Sequence, residues 1–115
     1  MEKKDLASVQ KEVAELVGRV KARTLRAEQM SGASMALSNL GMYPIEGFDA
    51  IIFPEHSTIL TVGAVQLKSV VLEGEVKVRP LVTVKVAADH RLINGRTAAA
   101  FLSRVKQVIE SGEIF

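Results

Sequence analysis

The sequence predicts an α/β fold, a two-layer sandwich of a mixed sheet with helices, and three observations carry that prediction. Apolar residues recur at helical spacing near the start, at Leu6, Val9, Val13, Leu16, Val17 and Val20, and again near the end, at Phe101, Leu102, Val105, Val108 and Ile109. Between these two stretches lie short β-branched runs bounded by glycine and proline, which read as strands. No internal repeat, low-complexity tract or interdomain linker interrupts the 115 residues, so residues 1–115 read as a single domain.

The first helix shows one apolar stripe on an otherwise charged surface. Lys21, Arg23 and Arg26 crowd its later turns, where the helix dipole favours cations. Ser31-Gly32 breaks the pattern. A strand over residues 33–39 follows, then a loop punctuated by Gly41, Pro44 and Gly47. Residues 58–65 and 67–72 read as two further strands. Glu73-Gly74 is a hairpin turn signal leading into a long strand over residues 76–88. In that strand Val76, Val78, Val82, Val84 and Val86 share one parity, while Lys77, Arg79, Thr83 and Lys85 share the other. One face is therefore expected to be buried and the other polar. His90 continues the apolar parity if the strand geometry persists to it. The last helix is expected over residues 96–110.

Composition bounds the function classes. A chain of this length buries roughly two-thirds of its unfolded surface, and with 48% apolar but only 4% aromatic residues its packing is aliphatic. A net charge of +2 with acids and bases interspersed favours neither nucleic acid nor a membrane surface as partner. The absence of cysteine excludes a disulfide framework, a thiolate metal site and a cysteine nucleophile, and no metal is expected. No apolar run approaches the roughly 20 residues that span a bilayer. The first residues, Met-Glu-Lys-Lys-Asp, lack a secretory stretch, so the expectation is a soluble, cytoplasmic domain.

The chemistry-bearing segment is Asp89-His90-Arg91-Leu92-Ile93-Asn94-Gly95, where a strand ends and a helix is about to begin. A histidine there is held firmly while facing a cleft. On position alone His90 reads as a hydrogen-bonded structural residue, and Asp89, Arg91 and Asn94 as polar groups that satisfy the strand end and cap the helix. Arg91 is expected to pair with a nearby carboxylate, Asp89 being one candidate. His56, beside Pro54 and Glu55, reads as a surface residue.

The heptapeptide resembles Asp-His-Arg-x-x-Asp-Gly, the active-site signature of the dihydrolipoyl acyltransferases, the core enzymes of the 2-oxo acid dehydrogenase complexes. The resemblance runs from about Leu6 to the last residue. Ser38-Asn39-Leu40-Gly41-Met42 is similar to that family's Ser-Asn-Leu-Gly-Met block, Phe48-Asp49-Ala50-Ile51-Ile52-Phe53-Pro54 to its Phe-x-Pro-Ile-Ile-Asn-Pro, and Ile59-Leu60-Thr61-Val62-Gly63 to its Ile-Leu-x-Val-Gly. One such motif is weak evidence; four in family order are specific. Asn94 stands where the family usually has Asp, and Phe53 where it commonly has Asn. The chain resembles the C-terminal half of the family's catalytic domain, a chloramphenicol acetyltransferase-like fold.

The resemblance implies roles. His90 would be the general base that takes a proton from the thiol of coenzyme A or of a dihydrolipoyl group, both substrates. An imidazole suits this work because its ordinary pKa of about 6.5 lies near neutrality, whereas a thiol near 8.5 is mostly protonated. Ser38 would donate to the oxyanion formed when the thiolate attacks a thioester. Asn94 would orient the histidine loop and the ring, without the charge of Asp. The family assembles as a homotrimer or larger, with histidine and serine contributed by neighbouring subunits, and its partners are lipoyl-bearing and other dehydrogenase-complex proteins. No lipoyl domain or Ala/Pro-rich linker is recognisable here, so the chain is expected to carry no swinging arm of its own. The family's chains end in an apolar run that anchors on a neighbouring trimer; Ile114 and Phe115 read either as such an anchor or as packing on their own last helix. Three readings stay open: an active acyltransferase, a non-catalytic scaffold or assembly subunit, and an excised part of a larger enzyme.

Overall fold

The computed structural model describes residues 3–113. Its elements, in order, are α1 (Leu6–Lys21), a 3-10 turn (Ala27–Met30), β1 (Met35–Asn39), β2 (Thr58–Val62), β3 (Gln66–Leu72), β4 (Glu75–Leu81), β5 (Val84–Ala88) and α2 (Gly95–Ser111). The α/β class read from the sequence is the observed one. The chain forms two compact units, one built of the chain up to Ala33 together with the chain from Arg104 onward, the other of Ser34–Ser103. Ile114 and Phe115, read above as an anchor or as self-packing, lie outside the described residues.

In the first unit α1 starts where Asp5 Oδ1 accepts the amide of Ser8 at 2.8 Å, an N-cap that satisfies one of the helix's free donors. Its end is equally defined. Arg23 adopts φ 56°, and the amides of Arg23 and Thr24 donate to the carbonyls of Val20 and Arg19 at 3.1 and 2.9 Å, a Schellman closure. Arg23 and Arg26, expected in the helix's later turns, therefore fall beyond it. The apolar stripe exists, but Leu6, Val13, Leu16, Val17 and Val20 are all exposed.

The second unit is organised by β2. Strand β1 runs parallel to it, with Met35 opposite Thr58 and Ser38 opposite Thr61. Strand β5 runs antiparallel on its other edge, with Thr58 opposite Ala88 and Val62 opposite Val84. The buried residues cluster on β2 and just after it: Ile59, Leu60, Thr61 and Ala64. Thr61 is a polar member of this core, and its hydroxyl donates to the Phe48 carbonyl at 3.0 Å, so its burial leaves no unmet hydrogen bond.

The connection from β1 to β2 folds back over the end of the sheet. Leu40 donates to the Val62 carbonyl at 3.1 Å, and Ala64 donates to the Ile45 carbonyl at 2.7 Å. This brings backbone against backbone at Gly63, where an added Cβ would stand 1.9 Å from the Glu46 carbonyl oxygen. Only glycine fits that approach.

The long strand expected over residues 76–88 is instead two strands in two sheets. Strand β4 pairs with β3 in a separate hairpin, and β5 joins β2. Pro80 near the end of β4 has no N–H to continue a ladder. Beyond it, the Thr83 carbonyl accepts the Gly63 amide at 3.1 Å and steers the chain onto the other sheet. The hairpin turn is as expected: Glu73 and Gly74 both have positive φ, 52° and 79°, the requirement of a two-residue type I′ turn. The expectation that the Val76 and Val78 face is buried is not met, because both residues are exposed; Val84 and Val86, in the three-stranded sheet, are half-buried.

The close approach at Gly63 yields a testable contrast. Gly63→Ala should lower the unfolding free energy by about 3 kcal/mol or more, since a backbone carbonyl cannot step aside as a side chain can. Gly18→Ala, inside α1 with nothing near its Cβ position, should raise it by roughly 0.5–1 kcal/mol. Urea denaturation of both variants checks the pair.

Candidate active site

Asp89 organises the segment that holds His90. Its carbonyl accepts the amides of Leu92 and Ile93, each at 2.9 Å, closing the turn between β5 and α2. Its carboxylate accepts the Arg91 amide at 3.0 Å and grips the guanidinium through Nε at 3.0 Å and Nη2 at 2.8 Å. The pairing of Arg91 with Asp89 expected from the sequence is thus present as a two-pronged contact. The Asp89 side chain is only 18% exposed while that of Arg91 is 88% exposed, so the arginine covers the acid from the solvent side. The Arg91 side chain, then the Arg91 amide, hold the Asp89 carboxyl down at about 2.

His90 itself stands in the turn and is exposed. Asn94 lies one position before α2, and its Oδ1 accepts the Thr97 amide at 2.9 Å while its carbonyl accepts the Ala98 amide at 3.1 Å. This is an N-cap, the simpler of the two roles the sequence offered Asn94. Asn94 fixes where α2 begins, and therefore the length of turn available to His90.

Ser38 is half-buried in β1 and lies far from this turn. The rows of the sheet measure the separation. The Ser34 carbonyl accepts the Ser57 amide at 2.9 Å and the Ser57 carbonyl accepts the Asp89 amide at 2.8 Å, so these three residues end the sheet on the side of His90. Ser38 sits four residues along β1 from that end and two strands across from β5. At the usual rise and strand spacing this is roughly 13 Å along and 10 Å across, about 16 Å in all, which neither side chain bridges. The fold therefore brings Asp89, His90, Arg91 and Asn94 together and holds Ser38 apart from them within one chain.

His56 departs from its expected surface position. It is half-buried, its ring meets Phe53 edge-on with centroids 5.5 Å apart, and Nδ1 is buried without a hydrogen-bond partner. The cause is local and not visible in the residues: the His56 amide donates to the Phe53 carbonyl at 2.9 Å, a turn that folds the ring back onto the phenylalanine. Among the described residues no three acidic or histidine side chains form a metal-binding group, and no helix is long and apolar enough to cross a membrane.

Comparison with known proteins places these features in a family. Residues 1–114 match the family model of the 2-oxoacid dehydrogenases acyltransferase (catalytic domain). The chain is 37% identical over 108 residues to the dihydrolipoyllysine-residue acetyltransferase component of the pyruvate dehydrogenase complex of Rickettsia felis, covering 94% of this chain and 26% of that protein. To the dihydrolipoyllysine-residue succinyltransferase component of the 2-oxoglutarate dehydrogenase complex of Bos taurus it is 33% identical, covering 99% of this chain and 25% of that protein. The chain thus spans about a quarter of the length of these relatives.

Among solved structures, a probable dihydrolipoamide acetyltransferase from Listeria monocytogenes superposes with a TM-score of 0.90 at 25% identity, over 95% of this chain and 47% of that one. The dihydrolipoamide acetyltransferase of Azotobacter vinelandii superposes at 0.85 with 29% identity, over 92% of this chain and 44% of that one. The latter structure concerns the role of a serine, a histidine and an asparagine in that enzyme's catalytic mechanism. Those residues are spaced by the same 52 and four positions as Ser38, His90 and Asn94. The fold, the motif order and the family match agree: this chain belongs to the 2-oxoacid dehydrogenase acyltransferase family, as part of its catalytic domain.

Proposed function

We propose that this chain carries the histidine and serine of an acyltransferase that moves an acyl group between the thiols of coenzyme A and a dihydrolipoyl group. The observation that carries the reading is the Ser38, His90, Asn94 set, spaced as in the Azotobacter vinelandii enzyme and presented on a matching fold. His90 takes the proton of the incoming thiol. The thiolate then attacks the thioester carbonyl, and the negative charge that gathers on its oxygen accepts a hydrogen bond from Ser38. Collapse of the tetrahedral intermediate expels the second thiol as thiolate, which recovers the proton from the imidazolium. Asn94 and Asp89 position the histidine turn, the first by capping α2 and the second by closing the turn on both its carbonyl and its carboxylate.

The register of the sheet sets a condition on this chemistry. A site that uses both His90 and Ser38 takes them from different copies, because one copy holds them about 16 Å apart. The assembly we propose is a homotrimer or a larger array of trimers. The relatives support it: one structural neighbour is the cubic core of a pyruvate dehydrogenase multienzyme complex, matched with a TM-score of 0.85 at 30% identity. Lipoyl-bearing proteins would then deliver the acyl group.

Four measurements follow. His90→Ala should lower turnover by roughly 10²–10⁴-fold without loss of fold, and His56→Ala by far less; equal losses would reassign the base. Ser38→Ala should lower kcat more than it raises KM, because its hydroxyl acts once charge develops. Mixing and reassembling equal amounts of the two inactive variants, H90A and S38A, should restore about a quarter of wild-type activity, the fraction of random interfaces in a symmetric ring that receive both intact residues. A site confined to one chain recovers nothing. Finally, Asp89 is a depressed carboxylate, so the closure it provides is complete above its ordinary value of 3.8 and is lost as pH falls through about 2. The Arg91 amide resonance should report that midpoint, and Asp89→Asn should cost roughly 10–100-fold in turnover by loosening the turn.

A further inference from the structure

The half-buried ring of His56 has no part in the chemistry proposed above, yet the sheet sets it beside His90. Strands β2 and β5 are tied just past their ends by the Asp89 amide, which donates to the Ser57 carbonyl at 2.8 Å. Because the two strands are antiparallel, His56 and His90 each stand one residue beyond that hydrogen bond, off the same end of the sheet. Adjacent strands lie about 5 Å apart, so the two histidines leave from neighbouring positions. Ser57 is itself anchored, its amide and its hydroxyl both donating to the Ser34 carbonyl, at 2.9 and 3.2 Å.

The direction of the His56 ring is also set. The turn closed on the Phe53 carbonyl brings the ring edge-on to Phe53, at an interplanar angle of 76°. Nδ1 is the nitrogen turned inward, buried and without a hydrogen-bond partner. A buried N–H without a partner is rarer than a buried lone pair without one, so the neutral ring carries its proton on Nε2. Among the described residues Nε2 has no partner and is not buried, so it offers a donor at the surface. Phe53, which holds the ring, stands where the family commonly has Asn, so the holder is this chain's own.

We infer that His56 binds substrate: its Nε2–H donates to an amide carbonyl on the arm of the thiol whose proton His90 removes. The inference deepens the proposed function, since it rests on the reading that His90 acts on a thiol. Coenzyme A and a dihydrolipoyl group both present that thiol at the end of a flexible arm, with an amide carbonyl a few bonds from the sulfur. With the sulfur at His90, that carbonyl comes within reach of the neighbouring position, where leaving water would cost it a hydrogen bond unless a donor is waiting. A ring already held by Phe53 supplies the donor with little further loss of freedom. The contact is to the arm and not to the reacting carbon, so it is made equally before and during the reaction. It therefore acts on KM and leaves kcat alone.

The test is steady-state acyl transfer by the full chain, with coenzyme A and dihydrolipoamide in turn as the acceptor thiol. His56→Phe keeps a ring against Phe53 and removes both nitrogens. It should raise the KM of the thiol that His56 holds by roughly five- to tenfold, with kcat within about twofold of wild type. His56→Gln, whose amide N–H reaches a similar distance, should recover most of that loss. The thiol whose KM moves identifies the arm. Nitrogen-15 spectra of the wild-type ring give a readout independent of turnover and of how a variant folds: the proton should sit on Nε2, and its resonance should shift when that thiol is added. A KM unchanged for both thiols in His56→Phe, or a proton on Nδ1, overturns the role of His56 while leaving that of His90 standing. A wild type that transfers no acyl group to either thiol overturns both.

Discussion

The double ladder on β2 is the constraint from which the rest of the second unit follows. Strand β2 pairs on both edges, parallel to β1 and antiparallel to β5, and it contributes three of the buried residues, Ile59, Leu60 and Thr61. Such a strand cannot slip by one residue without breaking both of its ladders at once. Its register therefore fixes two distant things together: the level at which β5 ends and releases His90, and the level at which Ser38 faces Thr61. The close approach at Gly63 locks that register from outside, because the crossover loop packs backbone to backbone against the end of β2.

The His90 turn shows how a local motif becomes a rigid holder. Three kinds of contact converge within seven residues: two amides on the Asp89 carbonyl, three donors on its carboxylate, and the Asn94 cap at the start of α2. Asn and Asp cap helices about equally well, so Asn94 in place of the usual Asp keeps the geometry of the turn. What changes is charge, and the Asp89–Arg91 pair beside it carries the ionic part of the turn.

Much of this was legible in the residues. The apolar periodicities located both helices to within about a residue at their starts, Glu73-Gly74 located the type I′ turn, and the Asp-His-Arg heptapeptide located the turn that holds His90. What alternation could not tell is whether anything of the same chain covers an apolar face. Val76, Val78, Val84 and Val86 have one parity, yet one ladder stops at Leu81, just past Pro80, and the Gly63–Thr83 contact starts the chain on another, so two of these valines are exposed and two half-buried. His56 was misread for a similar reason: a polar loop neighbourhood gives no sign that a ring three residues away will cover it. The distance between Ser38 and His90 depends on pairings far apart in sequence, so only the family resemblance, which puts the two residues on neighbouring subunits, implied it.

The hairpin also has a consequence in time. Its strands meet through a two-residue turn, whereas each pairing of the three-stranded sheet joins residues more than 20 positions apart, such as Met35 with Thr58 and Val62 with Val84. Hairpins close in about 1–10 μs, while long-range pairings wait on loop closure. The first sheet to form is thus the one whose apolar residues Leu67, Val71, Val76 and Val78 are exposed, and it stands open while the rest of its unit is still assembling. Its protection against fibrous pairing in that interval is written into the same strands: Pro80 interrupts the donor row of β4, and the charged side chains of Lys68, Lys77 and Arg79 line both strands.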